Sequence, residues 1–492
     1  MRKPSELYRP SLALLTDLYQ LTMACAAWRA GLADREAVFH LFFRKNPFGG
    51  GYSVACGLEY ALDHLSTLKF DAEDLAYLAT LTGADGGPLF PADFLTALRE
   101  LPLALDVDAI PEGTVVFPNE PLLRVKGPII PAMLVETPLL NFVNFQTLIA
   151  TKASRIVSAA QGAPVIEFGL RRAQGIDGGL TASRAAYAGG CAGTSHVLAG
   201  RLFGIPVLGT HAHSWVMLFD TEREAFETYA KALPNNCVFL VDTYDTLEGV
   251  RNAIEVGRGL RDHGHQLLGI RLDSGDLAWL SVEARKLLDA AGFQDARILA
   301  SNDLDEETIE SLEQQGAPIA VWGVGTRLVT GHDQPALGGV YKLGAVRRPG
   351  EPWQHRVKLS EQAAKTTTPG VLQVRRFEND KGLVADGIFD EGLGWREGPR
   401  VVIDPLDFTR QKKIPASARF TDLLVPVLRA GKLVYAPPPL SAIREKALAE
   451  VARLPPGLKR FLNPHQYPVG LEPSLHELRT RLVLEARAAV GS

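Results

Sequence analysis

The sequence predicts an α/β protein whose centre is a series of parallel βα units, and three observations predict it. From residue 164 to about residue 343 a short β-rich apolar run, an abrupt polar or glycine-containing end and an amphipathic stretch of helical period recur in turn. Most of the runs sit about thirty residues apart, the length of a βαβ step. They also lack strict alternation, as strands covered on both faces by helices do.

Taken in order, residues 11–29 and 54–68 read as helices and 38–43 as a strand. Residues 103–125, rich in Pro and alternating apolar positions, read as a small antiparallel sheet, so the chain opens with an α+β segment. A long helical stretch over 134–160 leads into the βα series. Strands are expected at 165–168, 206–208, 238–241, 267–270, 298–300 and 319–322. Between them 222–233, 246–262, 277–291 and 305–315 place apolar residues at three and four spacing with charges between, as surface helices over a sheet do. Beyond residue 343 the chain is rich in Pro, Gly and Arg, with strands expected at 371–375 and 433–435 and helices at 441–453 and 474–488. The expected organisation is an N-terminal α+β domain over 1–140, an α/β domain over 141–343 and a C-terminal region over 344–492.

Composition narrows the function classes. With 46% apolar and 22% charged residues in 492, the chain is ordinary globular material that buries a large core without staples. Fifty-two Lys and Arg against 56 Asp and Glu leave a net charge of -4, which offers no global pull toward nucleic acid or an anionic membrane. An anionic ligand must therefore be caught locally. Cys25, Cys56, Cys191 and Cys237 lie far apart without a C-x-x-C pair, so neither a disulfide framework nor a thiolate zinc site is indicated. Arg2 and Lys3 precede an apolar stretch that Thr16 and Asp17 cut off, too short for a signal peptide, and no apolar run approaches the ~18 residues of a membrane span. A cytoplasmic protein without membrane or nucleic-acid partners is expected.

In parallel α/β architectures functional residues sit just past the C-terminal ends of the strands. Successive ends here carry Arg171 and Arg172; Thr210, His211 and His213; Asp242 and Asp245; Arg271, Asp273 and Asp276; Ser301, Asn302 and Asp303; and Gly323, Gly325 and Thr326. Any one of these can be a cap or turn residue, but the coincidence across six ends points to a site. Its chemistry is anionic: arginine forks and the Gly323-Val324-Gly325-Thr326 loop suit phosphate, and Asp242 and Asp273 suit a hard cation such as Mg²⁺ beside it. The His211-Ala212-His213 pair admits a rival, a metal-dependent barrel hydrolase. A third reading makes one imidazole structural and gives the other a reacting role.

Long motifs carry a resemblance. Thr16-Asp17-Leu18-Tyr19-Gln20-Leu21-Thr22-Met23, Phe43-Arg44-Lys45-Asn46-Pro47-Phe48-Gly49-Gly50-Gly51-Tyr52, Glu167-Phe168-Gly169-Leu170-Arg171-Arg172-Ala173-Gln174-Gly175, Gly209-Thr210-His211-Ala212-His213-Ser214, Arg271-Leu272-Asp273-Ser274-Gly275-Asp276 and Asn463-Pro464-His465-Gln466-Tyr467-Pro468-Val469-Gly470-Leu471 resemble nicotinate phosphoribosyltransferases, in the family's order from residue 11 to about 480.

The resemblance implies an irregular α/β barrel with an N-terminal α+β domain completed by C-terminal chain, working as a homodimer. It implies the ATP-coupled, Mg²⁺-assisted reaction of nicotinate with 5-phosphoribosyl 1-diphosphate in NAD salvage. Carried over, His213 matches the autophosphorylated histidine. Tyr19, Phe168, Thr210 and Arg271 match nicotinate-binding positions, with Tyr19 reaching in from the other subunit. Arg171, Asp242, Asp273, Gly323, Gly325 and Thr326 match positions for the phosphoribosyl substrate, with Asp242 and Asp273 as the candidate Mg²⁺ ligands. Gly193-Thr194-Ser195-His196 departs from the pattern, with histidine where a small amide is expected.

Overall fold

A computed structural model describes residues 11–362 and 365–490; Arg2 and Lys3 lie outside them. The chain divides into two compact units, one of residues up to 148 together with those from 336 onward, the other of residues 149–335.

The first unit is organised by a seven-stranded antiparallel sheet in the order Gln354–His355, Val340–Arg347, Glu36–Phe42, Leu123–Pro128, Asp106–Ala109, Val425–Arg429, Lys432–Leu433. Glu36–Phe42 is an inner strand whose apolar residues are buried on both faces, Ala37, Val38 and Leu41 completely. A second, six-stranded sheet runs Gln411–Lys413, Val401–Ile403, Val469–Leu471, Gly382–Asp390, Leu372–Asn379, Arg419–Asp422. Of these strands the sequence predicts only 371–375, because four of the others, Gln411–Lys413, Val401–Ile403, Val469–Leu471 and Arg419–Asp422, are three or four residues long, too short to show a period. Arg376, one residue past the predicted 371–375, is buried, forks onto Asp386, and donates to the Val115 carbonyl at 2.9 Å. Tyr467, from the 463–471 motif, stacks on Phe117 with centroids 3.9 Å apart and gives its hydroxyl to Asp386 at 2.9 Å.

The second unit contains a six-stranded sheet, all parallel, in the order Gly193–Thr194, Val165–Glu167, Val321–Val324, Arg297–Asn302, Gly269–Leu272, Val238–Leu240. The two outer strands are not hydrogen-bonded to each other, so among the described residues the fold is an irregular α/β arrangement and not a closed barrel. Helices Glu222–Ala232, Thr246–Asp262, Leu277–Ala290 and Glu306–Gln314 follow the expected spans within two residues. Each starts because a side chain captures a free amide of the first turn: Thr221 that of Glu224, Asp245 that of Glu248, Asp276 that of Trp279 and Asp305 that of Thr308. Asp245 and Asp276, two of the charged strand-end positions, are therefore caps.

Three expected strands differ from the observed ones. Residues 206–208 form only an isolated bridge, Val207 to Thr194. The strands expected at 267–270 and 319–322 are Gly269–Leu272 and Val321–Val324, two residues later. Leu267 and Ile319 are buried on the approach to the sheet, so apolar burial begins before the hydrogen-bond ladder does. Arg271 and Gly323 consequently lie within strands, not after them. Among the described residues, no helix is long and apolar enough to cross a membrane.

Candidate active site

The site is built on the C-terminal ends of the parallel strands. Phe168 follows Val165–Glu167, and its N–H donates to the Val324 carbonyl at 2.8 Å. Its ring lies against Gly323, where a Cβ would stand only 2.6 Å from the ring edge, so glycine is what lets the aromatic shelf exist. The Arg271 guanidinium carbon is 5.5 Å from the ring centroid. Arg271 is braced in turn: Nε donates to Ser301 Oγ at 2.7 Å, one terminal nitrogen to Thr210 Oγ1 at 3.1 Å and the other to Asp273 Oδ1 at 2.7 Å. Three of its five N–H groups are thus fixed and two remain for a ligand. Asn302, next to Ser301, adopts φ of 143°, a strained conformation for a residue with a side chain, at the end of the strand that supplies the brace.

Beside this shelf stand two carboxylates and an imidazole. Asp242 Oδ2 accepts the Asp273 N–H at 2.9 Å and the Ser274 hydroxyl at 2.7 Å, while Oδ1 is buried without a hydrogen-bond partner. His213 opens the short helix His213–Val216, with Nδ1 3.1 Å from Thr243 Oγ1 and Nε2 facing Asp242 Oδ1 at 3.8 Å and Asp273 Oδ2 at 3.7 Å. Burial raises the Asp273 carboxyl, but the Ser301 hydroxyl and Arg271 outweigh it and hold the group below its ordinary value.

The two histidines of the H-x-H pair part company. His211 is packed among Phe226, Tyr229 and Phe239, and its Nε2 accepts the Leu240 N–H at 3.2 Å. Burial pulls this imidazole down to about 4, so it is neutral and its nitrogen lone pair is spent on the backbone. Among the described residues no group of three or more His, Cys, Asp or Glu is arranged to hold a metal ion, and the hydrolase alternative is not favoured.

Matching family models cover most of the chain: the nicotinate phosphoribosyltransferase N-terminal domain over residues 14–144, the nicotinate phosphoribosyltransferase family over 164–368 and the C-terminal domain over 373–479. The chain belongs to the nicotinate phosphoribosyltransferase family. It is 43% identical over 485 residues to the Bacillus subtilis nicotinate phosphoribosyltransferase, covering 96% of this chain and 97% of that one. The human nicotinate phosphoribosyltransferase is 36% identical over 529 residues, covering 94% and 95%. The crystal structure of human nicotinic acid phosphoribosyltransferase superposes with a TM-score of 0.83 at 34% identity, covering 95% of this chain and 99% of that one.

Of the positions the family resemblance singled out, Phe168, Thr210, His213, Asp242, Arg271, Asp273 and Gly323 come together in the second unit. Gly325 caps the short helix Thr326–Val329 and backs the Phe168 carbonyl, with no described contact joining Thr326 to the carboxylates. Arg171 lies in the exposed turn Leu170–Arg172, and Tyr19 lies half exposed on the helix Leu18–Arg29 of the first unit. His196, the departure from the pattern, is buried with Nδ1 3.2 Å from Ser183 Oγ. Thr243 and Ser274 are not among the residues the sequence singles out, and Ser301 stands there only as a strand-end residue. All three are hydroxyls within a residue or two of a charged strand-end position, and that was the available signal.

Proposed function

We propose that the chain joins nicotinate to 5-phosphoribosyl 1-diphosphate, forming nicotinate mononucleotide and diphosphate in NAD biosynthesis, with ATP coupled through phosphorylation of His213. Family membership supports the phosphoribosyl transfer, and one observation carries the choice of substrate. Beside the Phe168 ring, Arg271 keeps two N–H groups free after three fixed ones hold it still, which suits the carboxylate of a flat aromatic acid.

The chemistry needs no protein nucleophile. The pyridine nitrogen attacks the anomeric carbon as diphosphate departs, and the barrier falls because two substrates are held in line and positive charge develops on the ribose near Asp242 and Asp273. Asp242 Oδ1, buried and without a hydrogen-bond partner, and Asp273 Oδ2 offer two anionic oxygens on the same side of His213, a donor set that fits Mg²⁺. When bound, the ion neutralises charge on the leaving diphosphate. Thr243 occupies His213 Nδ1, which leaves Nε2 to take a phosphoryl group from ATP. That modification adds ~1.5 to 2 negative charges between two carboxylates, and regrouping of the surrounding cations is how ATP is coupled to substrate affinity.

A cytoplasmic homodimer with shared sites completes the reading. It is supported by apolar side chains standing in solvent on each unit: Leu18, Tyr19 and Met23 on the first helix, and Ile176, Val197, Met217 and Leu218 around the parallel sheet. The deciding experiment is an assay of nicotinate mononucleotide formation with and without ATP. Turnover that ATP stimulates is expected; no product from nicotinate overturns the reading.

A further inference from the structure

Glu167 ends the strand Val165–Glu167, immediately before Phe168, and is 1% exposed. A carboxylate this deep loses its hydration and is unfavourable unless it is paired or fully hydrogen-bonded. Among the described residues it forms no ion pair, and three hydrogen-bond donors converge on it. The Gly169 N–H reaches Oε1, while the Ser183 hydroxyl at 2.8 Å and the Thr194 hydroxyl at 2.5 Å reach Oε2. The donors are themselves held: Thr194 Oγ1 accepts the His196 N–H at 3.0 Å, and Ser183 Oγ lies 3.2 Å from His196 Nδ1.

One carboxylate thus ties together three pieces of chain, the turn that follows Phe168, the helix Gly175–Ala188 and the edge strand Gly193–Thr194. That turn has no slack on its other side, since a Cβ on Gly169 would stand 2.3 Å from Val329. Phe168 is therefore suspended between a backbone amide that Glu167 fixes and the Gly323 surface its ring rests on. Moving Gly169 moves the ring.

We infer that Glu167 is a positioning residue for the pyridine substrate, acting through Phe168 without touching the ligand. The inference rests on the reading of Phe168 as one wall of the nicotinate pocket. The variants Glu167→Gln and Thr194→Val in the full-length enzyme test it. Glu167→Gln keeps the shape but turns one acceptor oxygen into a donor facing donors; Thr194→Val removes a single hydroxyl. Each is expected to raise KM for nicotinate about tenfold while KM for phosphoribosyl diphosphate and acid-labile phosphate on His213 stay within about twofold. Fluorophenylalanine incorporated in place of phenylalanine gives a second readout that does not depend on turnover, with the Phe168 ¹⁹F resonance shifted or broadened in both variants. A merely structural carboxylate lowers Tm and moves both KM values together or neither. An unchanged nicotinate KM with an unmoved Phe168 resonance, in either variant that folds, overturns the inference. Absence of nicotinate turnover in the wild type instead strikes the functional reading, while the resonance still decides whether Glu167 sets the ring.

Discussion

At the scale of single residues, Arg271 and His213 make separable predictions. Lysine at position 271 keeps the charge but loses the fork and its braces to Thr210, Ser301 and Asp273. Arg271→Lys is therefore expected to shrink the preference in kcat/KM for nicotinate over nicotinamide by about tenfold or more. Undiminished discrimination in that variant counts against the fork. His213→Ala removes a half-buried imidazole whose described bond is to Thr243, so folding is expected to survive while stimulation by ATP and acid-labile phosphate are lost. Phosphate remaining on the variant points to another histidine. Spacing alone placed Asp242 and Asp273 past the ends of adjacent strands, with Arg271 inside one of them and Thr210 after the isolated bridge at Val207. It left His211 and His213 unresolved because what separates them is burial among Phe226, Tyr229 and Phe239, rings supplied by chain a dozen or more residues further on. Ser301 stayed in the background for a related reason: its importance lies in bridging Arg271 and Asp273, a relation between strands.

At the scale of elements, the strand Val321–Val324 distinguishes two roles for one glycine. In the sequence reading Gly323 belongs to a phosphate loop, whereas its position within the strand and against the Phe168 ring gives it a packing role. Gly323→Ala is expected to raise KM for nicotinate more than KM for phosphoribosyl diphosphate and to cost about 1–3 kcal/mol of stability, measured by denaturant unfolding. A larger effect on the phosphoribosyl substrate restores the loop reading. The boundaries of the four helices over the parallel sheet were legible because caps are local, an Asp or Thr bonding an amide three residues on, whereas the helices expected at 11–29 and 54–68 lack such a side-chain cap and begin only at Leu18 and Leu58. Strand limits were less so, since parallel pairing is decided by a neighbour about thirty residues away. The six-stranded sheet of the first unit was largely hidden because four of its six strands are only three or four residues long, and their pairing is made with chain far away in sequence.

At the scale of the whole molecule, the proposal of shared sites predicts complementation. Mixing Tyr19→Ala with His213→Ala under subunit exchange is expected to restore activity, because a mixed dimer rebuilds one intact site; none recovered after demonstrated exchange excludes a composite pocket. The pH dependence of stability is set partly by three buried imidazoles. Burial, chiefly, lowers His40 to about 3 and His64 and His211 to about 4, from an ordinary value near 6.5. The unfolded chain binds these protons first, so the stability they contribute is present above about pH 6.5 and is lost as pH falls toward about 4, at up to about 1.4 kcal/mol per pH unit for each group. Tm is expected to fall between about pH 7 and about pH 5 in differential scanning calorimetry, and a flat profile contradicts the assignment. One feature of the first unit reaches into biosynthesis. Glu36–Phe42 pairs on one side with Leu123–Pro128 but on the other with Val340–Arg347, which is made only after all of residues 149–335. At about 5–20 residues per second a ribosome takes roughly 15–60 s to cover the roughly 300 residues between them. Through that interval the inserted unit has time to fold by itself while the edge of Glu36–Phe42 waits open, a template for pairing with any other nascent chain. Slowing translation between the two strands lengthens that exposure and is expected to lower the folded yield.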